Sequence, residues 1–231
     1  MAKASGTTRR NAPSANPNLK GAGNTNKQMA HPDFVLHPKL SIDNRDKAIE
    51  FIMQNGGFSS AEAEDIFESV NRFTKISVYI REYQLTGKVI EPEEGSEKYA
   101  ENAVKDAANI EKFIEKMPKW HGGETYRGLR YSFREDFEKL EVGDIWNSNH
   151  ISSWTSKKSV GEDFAYVNGV MLRCKKPQNG TSVRFLSDLS GEYEVACSSR
   201  CRYKVVGKSI GEDNILIVDV EPISNGKIRK E

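Results

Sequence analysis

An α+β fold, a helical lobe followed by a mainly antiparallel β core, is predicted by a change of hydrophobic period near the middle of this 231-residue chain. Up to about Met117 the apolar residues recur at helical spacing. After Gly122-Gly123 they fall instead in short β-branched and aromatic runs, separated by Gly, Asn, Asp and Ser turns. The length suits one domain of ordinary size with a core of its own, together with an arm.

The arm comes first. Residues 1 to about 33 are rich in Ala, Asn, Gly, Ser, Thr, Lys and Pro, and they hold too few large apolar side chains to offset the entropy of ordering. Up to Ala30 this segment carries Lys3, Arg9, Arg10, Lys20 and Lys27 and no acidic residue, so it reads as a disordered, locally basic arm. It lacks the apolar stretch of a secretory signal, and Pro13, Pro17 and Gly21-Ala22-Gly23 argue against the amphipathic helix of a transit peptide. A tether or packaging arm is expected. A single domain follows over 34–231, divided near residue 120 into lobe and β core.

In the lobe, Ala48, Ile49 and Ile52 mark a first helix. Ile66, Val70, Phe73, Ile80 and Tyr83 mark a longer second one, with Ser59 and Glu62 spaced as a capping box and Gly87 and Pro92 to end it. Tyr99, Ala103, Ala107, Ile110, Ile114 and Met117 form the stripe of a third, which Pro118 ends. The β core reads as strands over 124–129, 151–155, 170–174, 183–186, 193–196, 203–206 and 215–220, with one helix over 158–166. Strands so short and numerous, with no Gly-x-Gly-x-x-Gly after any of them, count against a doubly wound dinucleotide fold.

Composition removes several classes of function. Basic and acidic residues number 34 and 33, a net charge of +1, so no global field points to nucleic acid or membrane. Apolar runs such as Ile215–Val218 are far too short to span a bilayer, and a soluble, cytoplasmic protein is expected. Cys174, Cys197 and Cys201 are an odd number in a chain without an apolar signal segment, which favours a reducing compartment over a disulfide framework. Cys197-Ser-Ser-Arg-Cys201 has the look of half a metal site, but no second pair is spaced to complete four ligands, so no metal is expected. His31, His37, His121 and His150 read as surface or loop residues, and Trp120, Trp146 and Trp154 as structural. No Ser or Cys has an evident His and Asp set, which argues against a hydrolase triad.

Three short motifs in the second half carry chemistry: Tyr126-Arg127-Gly128, Ser153-Trp154-Thr155-Ser156 and Glu192-Tyr193-Glu194. In an extended strand residues i and i+2 share a face, so Glu192 and Glu194 are expected to point into one site about 7 Å apart along the chain. Singly the motifs are commonplace: a strand end with a solvated arginine, a strand with a core tryptophan, a solvated edge. Their order and spacing, however, resemble the Arg-Ser-Glu signature of the mono-ADP-ribosyltransferase superfamily. The resemblance runs from about Ser41 to Pro222. Arg127 stands between an aromatic residue and Gly128, like the family's first strand motif. Ser-Trp-Thr-Ser resembles its Ser-Thr-Ser strand and is followed by a short helix ending near Phe164-Ala165, before Glu192-Tyr193-Glu194-Val195. Val70-Asn71-Arg72-Phe73-Thr74, with Val78 to Arg81 after it, resembles the family's lobe helix.

This resemblance implies an ADP-ribosyltransferase-like fold with a two-sheet core, NAD as substrate and no metal. Arg127, with its planar fork, is implied to bind the NAD pyrophosphate or adjacent ribose. Gly128 would let backbone groups approach the nicotinamide amide, and Ser153 would steady Glu194, which would hydrogen-bond the nicotinamide ribose. Thr155 is the partner of Ser153 in this register; the alternative places Trp154 first, with Thr155-Ser156 following. Phe164, Tyr166 and Phe185 are candidates for stacking on nicotinamide, each otherwise a core aromatic. Residues Ser187 to Gly191 resemble the loop that carries acceptor recognition. The family uses Glu-x-Glu for arginine acceptors, so the implied partner is a target protein with a reactive arginine. Glu192 would then orient the guanidinium and take its proton, with NAD glycohydrolysis as a side activity. A monomer without membrane contact is expected, acting in the cytoplasm of a host cell if phage- or effector-derived, or packaged in a virion. The competing reading is a non-catalytic phage-virion or docking protein on the same fold, its basic arm on nucleic acid.

Overall fold

The computed structural model describes residues 45–176, 179–184, 186 and 190–223. The basic arm, residues 34–44 of the expected domain, Phe185 and residues 187–189 of the acceptor loop lie outside them. Three helices build the lobe: α1 (Arg45–Gly56), α2 (Ser60–Thr86) and α3 (Glu97–Lys116). The expected capping box is present, with Ser59 and Glu62 exchanging hydrogen bonds, and Gly87 closes α2 in the left-handed region at φ 74°. Ile66, Val70, Phe73, Ile76 and Ile80 form one buried stripe of α2, packed on Ala103, Ala107, Ile110 and Ile114 of α3. A buried carboxylate also joins these two helices: Asp106 accepts from Ser69 Oγ at 2.7 Å and from Arg72 Nη2 at 2.8 Å and Nε at 3.2 Å. Apolar periodicity carries no sign of that pair.

Eight strands follow: β1 (Thr125–Leu129), β2 (Ile145–Asn147), β3 (Ser152–Thr155), β4 (Val170–Cys174), β5 (Thr181–Ser182), β6 (Glu194–Cys197), β7 (Arg202–Ile210) and β8 (Leu216–Pro222). Two short helices interrupt them, α4 (Arg134–Lys139) and α5 (Lys158–Ala165). The strand order is β2-β7-β8-β4-β1-β3-β6-β5, and every pairing is antiparallel except β4 with β8. Five strands and three strands are joined by one register pair, Tyr126↔Thr155 between β1 and β3. The two groups also pack on each other. β7 and β3 are four steps apart in the order, about 19 Å in a flat sheet at ~4.8 Å per strand. Yet the rings of Trp154 on β3 and Tyr203 on β7 lie 5.2 Å apart. The sheet therefore turns over on itself at the β1–β3 joint and encloses a core with Trp120, Trp154, Leu172, Val195, Tyr203 and Val218. This is how the expected two-sheet core is realised.

Two strand expectations need correction. Residues 183–186 do not form a strand: β5 ends at Ser182, and Leu186 N–H donates to Val183 O at 2.9 Å in a turn. Val183 and Leu186 are apolar because they are buried against the lobe, and burial alone does not distinguish a turn from a strand. β2 was missed because it is a three-residue edge strand with an exposed–intermediate–exposed pattern, too short to show a period.

Candidate active site

A cleft of about 340 Å³ opens where β1 and β3 part. Continuing the Tyr126↔Thr155 register would set Arg127 against Trp154 and Gly128 against Ser153, but the pairing stops and the space between them becomes the site. α2 supplies Phe73, Ser77 and Arg81, α5 supplies Val160 and Phe164, the turn ahead of β6 supplies Glu192, and the first residue of β6 is Glu194.

β3 explains the Ser-Trp-Thr-Ser motif residue by residue. Alternation sends Ser152 and Trp154 into the core and Ser153 and Thr155 to the cleft side. On β6, Ser153 pairs with Ala196 and Thr155 with Glu194, so Glu194 is the diagonal same-face neighbour of Ser153. Ser153 Oγ donates a hydrogen bond to Glu194 Oε1. Thr155 Oγ1 donates to Glu192 O at 2.6 Å, and Ser156 N–H donates to Tyr193 O at 3.1 Å. The motif thus holds the Glu194 side chain with its first serine and the Glu192-Tyr193 backbone with the next two hydroxyl residues.

Glu192 and Glu194 share the cleft by a different route from the one expected. They are not i and i+2 of one strand. Glu192 ends a 3-10 turn (Ser190–Glu192), Tyr193 has φ 51°, and β6 begins at Glu194. The left-handed residue reverses the local direction, and the fold compensates by gripping it. Its carbonyl is bonded by Ser156, and Arg184 and Lys157 sit 3.9 Å and 5.5 Å from its ring centroid.

Burial sets the charges. Glu194 is 5% exposed, and burial pushes its carboxyl up to about 7, opposed by the Ser153 hydrogen bond and assisted by the charge of Glu192. Glu192 is also raised, by burial. The Arg127 guanidinium is brought down by burial to about 10, so it remains a cation at neutral pH. Its Nη1 is buried and, among the described residues, has no hydrogen-bond partner. His150 is pushed down to about 4 by burial and then by the Arg127 charge, so it is neutral.

Gly128 lines the cleft, but the close approach that requires glycine there is to α5. A Cβ at that position would lie 2.2 Å from Gly161 O and 2.4 Å from Ala165 N. Phe164 is 47% exposed at the rim, an aromatic on a helix face that is not core. Tyr166 is 63% exposed beneath the Arg130 guanidinium and does not line the cleft; Phe185 lies outside the described residues.

Sequence reasoning missed His150 and Arg81 as site residues. Phe73, Ser77 and Arg81 follow at i, i+4 and i+8, so two polar residues on the face of a long helix were a readable signal. For His150, three residues before Ser153 in an irregular segment, no pattern was available. Its loop position is as expected, but it faces the cleft and is half-buried.

Neither a protein-family model nor a curated protein matches this chain. Solved structures do. ADP-ribosyltransferase Vis, a toxin from Vibrio splendidus, in complex with agmatine is 18% identical at TM-score 0.55, covering 86% of this chain and 93% of Vis. Exoenzyme S from Pseudomonas aeruginosa, in complex with human 14-3-3 protein beta and bound to Carba-NAD, is 15% identical at TM-score 0.53, covering 89% and 92%. The Clostridium limosum C3 exoenzyme is 14% identical at TM-score 0.56, covering 80% and 95%. The chain has the fold of the mono-ADP-ribosyltransferases. What it does with that fold rests on the residues of the cleft.

Proposed function

We propose that this protein is an NAD-dependent mono-ADP-ribosyltransferase that modifies arginine side chains of target proteins. The observation that carries the reading is a buried, serine-held carboxylate, Glu194, in the same cleft as the Arg127 guanidinium, whose buried Nη1 has no hydrogen-bond partner among the described residues. A positive fork with no counter-ion among the described residues suits the pyrophosphate of a dinucleotide. A carboxylate beside it suits the other end. Loss of nicotinamide breaks its bond to the ribose C1′ and leaves an oxocarbenium-like centre, which a nearby anion stabilises. Ser153 orients Glu194 for that task, and exposed Phe164 at the rim suits stacking on the nicotinamide ring.

Acceptor chemistry falls to Glu192. A guanidinium with a pKa above about 12 attacks C1′ only as it gives up a proton, and Glu192, raised by burial, is suited to take it. The agmatine held by Vis is itself a guanidinium compound, which supports an acceptor of this class. Glu192→Ala is expected to lower ADP-ribose transfer to arginine by about 10²-fold or more, while nicotinamide release from NAD stays within a few-fold of wild type. The two are measured side by side, by labelled transfer to agmatine or protein and by nicotinamide chromatography. Loss of both activities together sinks the division of labour between the glutamates.

A further inference from the structure

Arg127 has an unusual environment for a half-buried cation. Among the described residues no carboxylate pairs with it, and the one hydrogen bond of its guanidinium is the contact of Nη2 with His150 Nε2 at 3.5 Å. The histidine is held in the form that can accept. Its Nδ1 is 2.7 Å from Ile151 O, so Nδ1 carries the proton and Nε2 presents its lone pair to the arginine. The segment bearing it is anchored on both sides: Ser148 Oγ donates to His150 O at 2.7 Å, and Ile151 N–H donates to Gln84 Oε1 on α2 at 2.8 Å.

Beside the His150 ring, the charges of Arg127 and Arg81 favour its neutral form and that of Glu82 opposes them. Arg81 of α2 adds a second positive charge at the same end of the cleft, and Glu82 is its own neighbour, with Oε1 3.2 Å from Arg81 Nη2. Protonated His150 would be a third cation there, and burial beside Arg127 holds it neutral. An aspartate or glutamate in place of His150 would orient the fork equally well, but it would also neutralise it, and the arginine would then have no charge left for a ligand.

We propose that His150 is a positioning residue for Arg127: as a neutral acceptor it fixes the guanidinium without discharging it, and so keeps the cleft receptive to a pyrophosphate dianion. The choice of pyrophosphate rests on the NAD reading given above. The role does not require His150 to touch the substrate.

Three variants of the full chain separate this role from a merely structural one. His150→Gln keeps an acceptor near the Nε2 position, His150→Leu removes it at similar volume, and His150→Glu introduces a counter-ion. NAD and inorganic pyrophosphate are the probes, with binding followed by calorimetry and NAD cleavage by nicotinamide release. His150→Gln is expected within about twofold of wild type in both. His150→Leu should raise KM for NAD about tenfold with kcat within about twofold, because the lost interaction is one of ground-state binding. His150→Glu should weaken both probes about a hundredfold while the far-ultraviolet dichroism stays native. Wild-type affinity in His150→Glu, or a loss in His150→Leu confined to kcat, overturns the proposal. If His150→Glu does not fold, the KM and kcat of His150→Leu and His150→Gln decide it. Wild-type protein that binds pyrophosphate but neither binds nor cleaves NAD would overturn the NAD reading. The role of His150 would then stand or fall on pyrophosphate alone.

Discussion

Glu194→Gln is expected to cut nicotinamide release from NAD by about 10³-fold and, at the same time, to make the protein more stable above neutral pH. Both effects come from one buried carboxyl. Ionised Glu194 is the form that can stabilise a positive ribose, so kcat/KM of the wild type should fall as pH drops through about 7, the value to which burial raises this group. Stability should run the other way. Below about pH 4.5 the carboxyl is protonated in both folded and unfolded chains and imposes no penalty. As pH rises through about 7, the unfolded chain has already lost the proton, and the folded state must bury the charge. A rise from 4.5 to about 7 corresponds to a penalty on the order of 3 kcal/mol, fully felt only above the higher value. Glutamine keeps an acceptor for Ser153 and carries no charge, so the variant should unfold at higher denaturant than wild type near pH 8 and at about the same concentration near pH 4. Equal midpoints at both pH values would show that Glu194 is not held as described, and unchanged nicotinamide release would remove it from the mechanism.

Gly128→Ala is expected to be strongly damaging, because β1 crosses α5 with no room for a methyl group at this position. Its Cβ would fall 2.2 Å from Gly161 O, 2.4 Å from Ala165 N and 2.6 Å from Phe164 Cβ, two of them backbone atoms of α5 that cannot rotate away. Gly161 faces the same crossing, since a Cβ there would lie 2.8 Å from Tyr126 Cβ. The helix must shift as a body. A loss of about 3 kcal/mol is expected, the upper end for overpacking, read as a lower denaturant midpoint. Because α5 carries Phe164 and Val160 into the cleft, KM for NAD should rise in whatever protein remains folded. An unchanged midpoint would mean that β1 and α5 do not cross as closely as this. The sequence reading took Gly128 for a ligand-facing glycine; the packing supplies a reason that operates with no ligand bound.

The lobe was legible almost in full, because its information is local. Ser59 and Glu62, Gly87, and the stripe from Ile66 to Ile80 each act within a few residues of chain, so period and capping chemistry suffice. The β core was legible where a strand is buried and long enough to show its composition, as in β4 and β8, and not in β2, which has three residues at an edge. Val183 and Leu186 misled for the opposite reason: burial put apolar residues in a turn.

The sequence by itself determined the parts. Arg127, Ser153, Thr155, Glu192 and Glu194 could be picked out together because their order along the chain carries the resemblance, and the cleft contains all five. Only the tertiary structure decided how they act on one another. The gap that forms the cleft exists because β1 and β3 stop pairing after one position. That depends on the sheet turning over to bury Trp154 against Tyr203, a contact between residues far apart in the chain. The turn at Glu192-Tyr193, the neutral partner that His150 offers Arg127, and the raised carboxyl of Glu194 likewise arise from burial and from neighbours on other elements. Desolvation and long-range apposition leave no period in a sequence. They appear only when the chain is folded.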